Sequence, residues 1–198
     1  MSTMAPPVAP LPAPDPVVLL DAPLYEVVDG LEVELPPMSV YSIEIACVLM
    51  GEFYVYLKQN PLGRAVSEVL FRMFPGKGPM RRPDVAYVPY QRWARDRDLT
   101  TGNGWEVVPD LAVEVVSPTD PALEVMTKVY EYLTAGVVEV WVIYPELRRV
   151  HRYGPADAMS CMGPAGTLDG GAVLPGFQLP LGELFRNKGG ASGPGQVV

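Results

Sequence analysis

Leu111-Ala112-Val113-Glu114-Val115-Val116, held between Pro109 and Pro118, reads as one buried strand with a carboxylate in its middle. Side chains alternate across a strand, so Leu111, Val113 and Val115 share one face and Ala112, Glu114 and Val116 the other. Glu114 therefore has only small or apolar neighbours along its own face. An uncompensated carboxylate there costs several kcal/mol. A salt bridge, a hydrogen-bond network or a metal ion would offset that cost, and the residue by itself does not choose among them.

Downstream, PALEVMTKVYEYLTAGV (121–137) has helical spacing, with Leu123, Met126, Tyr130 and Leu133 along one side and Gly136 as its stop. VEVWVIYP follows as a near-continuous strand, with LRRVHRY as its hairpin partner. A helix between two buried strands implies a parallel crossover. Upstream lie two more strand candidates, PDVAYVPY and AVSEVLFRMF, and a helix from about Val40 to Leu57 behind the cap Ser39. Before these, LYEVVDGLEVEL carries the hairpin signal Asp29-Gly30. The expected fold class is α/β, a mixed β-sheet flanked by helices with an N-terminal hairpin. Residues 1–20 read as a Pro-rich arm, 21–186 as a single domain, 154–172 within it as loop, and 187–198 as a Gly/Ser-rich tail.

Composition removes several classes of function. The chain has 198 residues, 48% of them hydrophobic and 19% charged, ordinary values for a protein with a substantial core. No run approaches the roughly 20 apolar residues of a membrane span, and the N-terminus lacks a signal-peptide pattern. Cys47 and Cys161 match no metal or redox spacing and suit a reducing cytoplasm. Cys47, in IACVLM, reads as a small core residue. A single histidine, His151, rules out His-rich zinc sites and reads as a surface strand residue. No Gly-rich phosphate loop precedes a helix. The net charge of −8 opposes polyanion binding. Yet residues 64–97 hold eight basic side chains, including Arg81 and Arg82, against Glu68, Asp84 and Asp96. That local excess is either a steering patch for a polyanion or a solvated surface.

Asp84 changes the reading of Glu114. It opens a neighbouring strand straight after Pro83, with Arg81 and Arg82 upstream. Taken alone it is a turn or strand-start residue. Two carboxylates brought together from adjacent strands repel each other and make a cage for a hard divalent cation such as Mg²⁺. Such an ion positions and activates a water and neutralises charge on a phosphodiester.

Arg82-Pro83-Asp84-Val85-Ala86, followed by Pro109-Asp110-Leu111-Ala112-Val113-Glu114-Val115-Val116-Ser117-Pro118, resembles the PD-(D/E)XK nuclease superfamily. More closely, the chain is similar to the bacterial Uma-type endonucleases. Further matching segments are Tyr25-Glu26-Val27-Val28-Asp29-Gly30, Lys128 followed by Tyr132, Ala135-Gly136-Val137, Glu139-Val140-Trp141, Val173-Leu174-Pro175-Gly176-Phe177 and Leu184-Phe185. The order and spacing of these segments carry the resemblance, which spans roughly residues 24–185.

The resemblance implies a restriction-endonuclease-like core that uses Mg²⁺ or Mn²⁺. Asp84, Glu114 and the backbone carbonyl of Val115 would be the metal ligands, and DNA the substrate. The superfamily's lysine is expected two residues after Glu114, where this chain has Val116. In the Uma-type branch it lies on the following helix, at Lys128. The competing reading of Lys128 is a surface ion pair with Glu124, opposite the Leu123/Met126/Tyr130/Leu133 stripe. Glu44 and Glu68 are weaker site candidates, and each also reads as structural. Arg81 and Arg82 are expected to meet the substrate phosphate. Tyr41-Ser42 and Tyr144 replace a histidine and an aspartate that related chains often carry, so an inactive binding or scaffold protein stands as the alternative. The superfamily often dimerises, which allows a homodimer here.

Overall fold

The computed structural model describes residues 23–186, apart from 77, 100, 101, 103 and 157. The expected arm at 1–20 and tail at 187–198 lie outside the described residues. The chain opens with strands β1 (Tyr25–Val28) and β2 (Leu31–Glu34). Asp29 and Gly30 both have positive φ, 51° and 79°, the conformation a two-residue hairpin turn requires. Helix α1 (Val40–Gln59) starts where Ser39 accepts a hydrogen bond from Ser42 N–H at 3.0 Å. Its inner face is Ile45, Leu49 and Phe53, all fully buried. By length and composition α1 could cross a membrane, contrary to the expectation from apolar run lengths. Here its apolar face is packed on the sheet. Cys47 lies on the outer face and is exposed, not in the core, because the buried face passes through 45, 46 and 49.

Next come β3 (Gly63–Ser67), β4 (Phe71–Arg72), β5 (Met80–Arg81), β6 (Val85–Pro89) and β7 (Leu111–Val115). The single strand expected over AVSEVLFRMF is broken at Glu68, whose φ is +56°. A left-handed residue cannot continue a strand. Then follow α2 (Ala122–Ala135), β8 (Glu139–Tyr144), β9 (Arg149–Tyr153), β10 (Met159–Met162), β11 (Thr167–Asp169), β12 (Gln178–Pro180) and the short α3 (Leu181–Leu184). The stretch 154–172, expected to be loop, thus contributes two strands.

The main sheet runs β10-β9-β8-β7-β6-β3. Every pairing in it is antiparallel except β7 with β8, the pair joined through α2. A smaller sheet, β2-β1-β5-β4, holds the hairpin. The main sheet has two apolar faces. Leu111, Val113, Val115, Trp141 and Ile143 pack with α1 and the C-terminal segment. Ala86, Val88, Ala112, Val140 and Val142 pack with α2 and with Phe71, Trp93 and Trp105.

The buried side of α2 is Val125, Val129 and Tyr132, not the expected Leu123/Met126/Tyr130/Leu133 stripe. Leu123 is 80% exposed and Tyr130 63%. Both stripes satisfy helical spacing, and only docking on the sheet chooses between them. The choice matters, because Lys128 sits three residues after Val125 and four before Tyr132, on the inward side.

Candidate active site

Asp84 immediately precedes β6 and Glu114 lies on the adjacent β7, on the face that α2 covers. Glu114 is fixed at both oxygens. The Tyr132 hydroxyl donates to Oε1 at 2.6 Å, and Lys128 Nζ lies 3.3 Å from Oε2. Asp84 Oδ2 accepts from Val115 N–H at 2.5 Å. Val116 N–H donates to Ile143 O, so even-numbered residues of β7 point their amides toward β8 and odd-numbered ones toward β6. The Val115 carbonyl therefore points the same way as its N–H, toward Asp84. Continuing the Val85↔Val113 register sets Pro83 opposite Val115, and proline has no N–H to offer that carbonyl.

Lys128 is not a surface partner of Glu124. Its side chain is 12% exposed and is shared between Glu114 and Glu26, the latter at 3.1 Å. Glu26, on β1, is 1% exposed and also accepts from Arg81 Nη1 at 2.7 Å and from Arg82 N–H at 2.9 Å. In the sequence, Glu26 and Tyr132 fall within the matching segments, but no role for either is evident there. The one signal is positional: Tyr132 follows Lys128 by one helical turn.

Arg81, expected to meet the substrate phosphate, is buried in this structure. It is 3% exposed, and its guanidinium is committed to Glu26 and, through Nε and Nη2, to Glu131. Arg82 lines the cleft, but its guanidinium donates to the carbonyls of Tyr25 and Glu68. Arg64 and Arg95 gather on Tyr90, and Arg97 on Trp93, beyond the far end of β6 from Asp84. The strand's length puts them about 17 Å away, so these three arginines do not surround the carboxylates. Glu68 joins the site. Glu44, on α1, is not among the residues lining it.

The cleft over these groups has a volume of about 550 Å³ and is walled by Pro36, Pro37 and Met38 on one side and by the start of α2 on the other. A larger hollow of about 970 Å³ lies between the hairpin and the 93–106 segment, away from the paired acids. Burial, and then the charge of Glu114, push the Asp84 carboxyl well above its ordinary range, against the pull of the Val115 N–H. Burial likewise raises Glu114, with Lys128 opposing, and burial raises Glu68. Burial alone would lower Lys128, but the Glu114 and Glu26 charges more than reverse this and keep it an ammonium. Tyr132 is raised well above its usual value by burial and by Glu114, so it remains a donor. Among the described residues no three His, Cys, Asp or Glu side chains form a metal-holding group. A cation seated here would have the Asp84 and Glu114 carboxylates within the same cleft, with Glu68 also lining it.

The raised values have a consequence for stability. An acid whose folded value lies above its unfolded value of about 4 contributes stability fully present below that pH and lost as pH rises through the folded value. In chelator, the melting temperature of the wild type is expected to fall, relative to Asp84→Asn, as pH rises from about 4 toward neutrality. Parallel wild-type and variant melts across that range would contradict the assignment.

A mixed sheet carrying two coupled acids on neighbouring strands, with a lysine from the crossover helix, defines a restriction-endonuclease-like protein. The profile of the Uma2 family, described as "Putative restriction endonuclease", matches residues 17–182. The chain belongs to that family. A solved structure of a "putative nuclease belonging to DUF820" from Anabaena variabilis shares the fold, with a TM-score of 0.71 at 20% identity. The match covers 82% of this chain and 89% of that one. No functionally curated protein matches the chain.

Proposed function

We propose that the chain is a divalent-cation-dependent endonuclease that hydrolyses phosphodiester bonds of DNA, with Mg²⁺ or Mn²⁺ held by Asp84, Glu114 and the Val115 carbonyl. The observation that carries this reading is the half-buried Asp84 beside the buried Glu114, whose charge helps raise Asp84, next to a backbone carbonyl opposite Pro83, which has no N–H to offer it. Charge favours it too. With all of them ionised, Glu26, Glu68, Asp84, Glu114 and Glu131 would exceed Arg81, Arg82 and Lys128 by two formal negative charges. Burial and then this repulsion hold the Asp84, Glu114 and Glu68 carboxyls up, and one divalent ion would balance the excess.

When bound, such an ion supplies a more acidic water and positive charge for phosphate oxygens. The chain's own groups do the rest. Tyr132 fixes Glu114 Oε1, so a ligand would share Oε2 with Lys128. The Val115 N–H holds one oxygen of Asp84 and leaves the other. Lys128 places a permanent positive charge beside Glu114, where it would steady charge developing on the attacked phosphate. The two thiols are free and exposed, which suits work in the cytoplasm.

Calorimetric titration of the metal-free protein with Mn²⁺ tests the reading. One binding event is expected in the wild type and none in Asp84→Ala, with plasmid nicked only by the former. One observation favours a scaffold instead: Glu114 already has Lys128 as a partner. Absence of any Asp84-dependent heat would select that alternative.

A further inference from the structure

We propose that Glu26, on the N-terminal hairpin, is the positioning residue for Lys128, keeping its ammonium in the site when Glu114 is given over to a ligand. Lys128 Nζ has two carboxylate neighbours, Glu26 Oε1 at 3.1 Å and Glu114 Oε2 at 3.3 Å. They are not equivalent. Glu114 Oε1 belongs to Tyr132, so a ligand entering the cleft that Glu114 and Lys128 both line competes with Lys128 for Oε2. Anything that takes that oxygen removes one of the two anchors. A cation doing so also repels the ammonium, and a four-carbon stem gains rotamer freedom by swinging out to water.

Glu26 cannot be drawn away in the same manner. It is 1% exposed, and its Oε2 is held by Arg81 Nη1 at 2.7 Å. Arg81 is anchored in turn by Glu131 on α2, the helix that carries Lys128. Glu26 Oε1 meets both Lys128 and the Arg82 N–H, two residues before Asp84. One buried carboxylate from β1 therefore sets the lysine and the backbone that delivers Asp84. Glu26→Ala would keep neither charge nor grip, and Glu26→Gln would lose the charge that holds an ammonium.

Only the kinetic consequence rests on the nuclease reading, so the first test does without activity. Glu114→Gln imitates the loss of Glu114 as an ammonium partner while still accepting from Tyr132. The Lys128 ammonium signal is followed by nitrogen-detected lysine NMR and assigned with Lys128→Met. The signal is expected to stay slow-exchanging in Glu114→Gln and to vanish in the Glu26→Gln/Glu114→Gln double variant. Its loss in Glu114→Gln alone overturns the proposal, whether or not Glu26 variants fold. The second test is kinetic, using Glu26→Asp, which is one methylene shorter and still charged for Arg81. It is expected to lower kcat about 10- to 100-fold, the usual effect of losing an outer partner, with KM little changed. In a Lys128→Met background it should cost nothing further. A full, additive loss in that background would mean that Glu26 acts only through the scaffold. A wild type without cleavage sinks the nuclease reading and leaves the outcome of the NMR experiment intact.

Discussion

Arg81→Met is expected to lower the stability of the protein by about 3–5 kcal/mol, the usual cost of removing one partner of a buried ion pair. In a chain of this size that corresponds to a fall in Tm on the order of 10 °C. The guanidinium is almost wholly enclosed and spans two carboxylates, Glu26 and Glu131, whose side chains are 2% and 24% exposed. Methionine fills much of the same volume but leaves Glu26 buried with Lys128 as its one remaining side-chain cation among the described residues. Arg81→Lys should recover little, because a point charge cannot make the fork that reaches both acids. Thermal melts by circular dichroism read the effect. A shift of only a degree or two would mean that the network contributes nothing net and that packing alone holds the hairpin.

Glu114→Gln is expected to abolish cleavage, by about a thousandfold or more if the bound ion's contribution of several kcal/mol is lost with its ligand. The expected direction for stability is opposite to that of Arg81→Met. The glutamine still accepts from Tyr132, Lys128 keeps Glu26 as its partner, and the buried charge that raises Asp84 is gone. In chelator the variant should melt no lower than the wild type. Activity lost with stability kept or gained is the mark of a residue maintained for function at a cost to the fold. Cleavage that persists in Glu114→Gln would place the chemistry elsewhere.

The parts of this structure legible in the sequence are those specified by near neighbours. Asp29-Gly30 set the hairpin, Ser39 set the start of α1, and Gly136, with φ of 96°, ended α2. The strand with Glu114 at its centre and the strand after Pro83 followed from apolar patterning. What escaped was everything decided by docking. Two stripes of α2 met the same helical rule, and the one chosen turned Lys128 inward. Arg81 and Arg82 looked like surface cations because their partners, Glu26 and the carbonyls of Tyr25 and Glu68, come from distant segments. Glu26 was hidden for the same reason, since nothing local distinguishes it from Glu32 or Glu34 on the same hairpin. The break at Glu68 required a backbone conformation that glutamate seldom adopts, so no pattern announced it.

The hairpin meets the rest of its sheet through a single ladder pair, Val27 with Met80, and every residue of β2 faces water. Little of β2 is buried, so what holds the hairpin is the Glu26 ion pairs and the bonds that Arg82 makes to β1, and any opening there has to break them first. Amide hydrogen exchange would register that opening while β7 and β8 stayed protected. Because Glu26 leaves with the hairpin, each such excursion briefly disarms the lysine without melting the core.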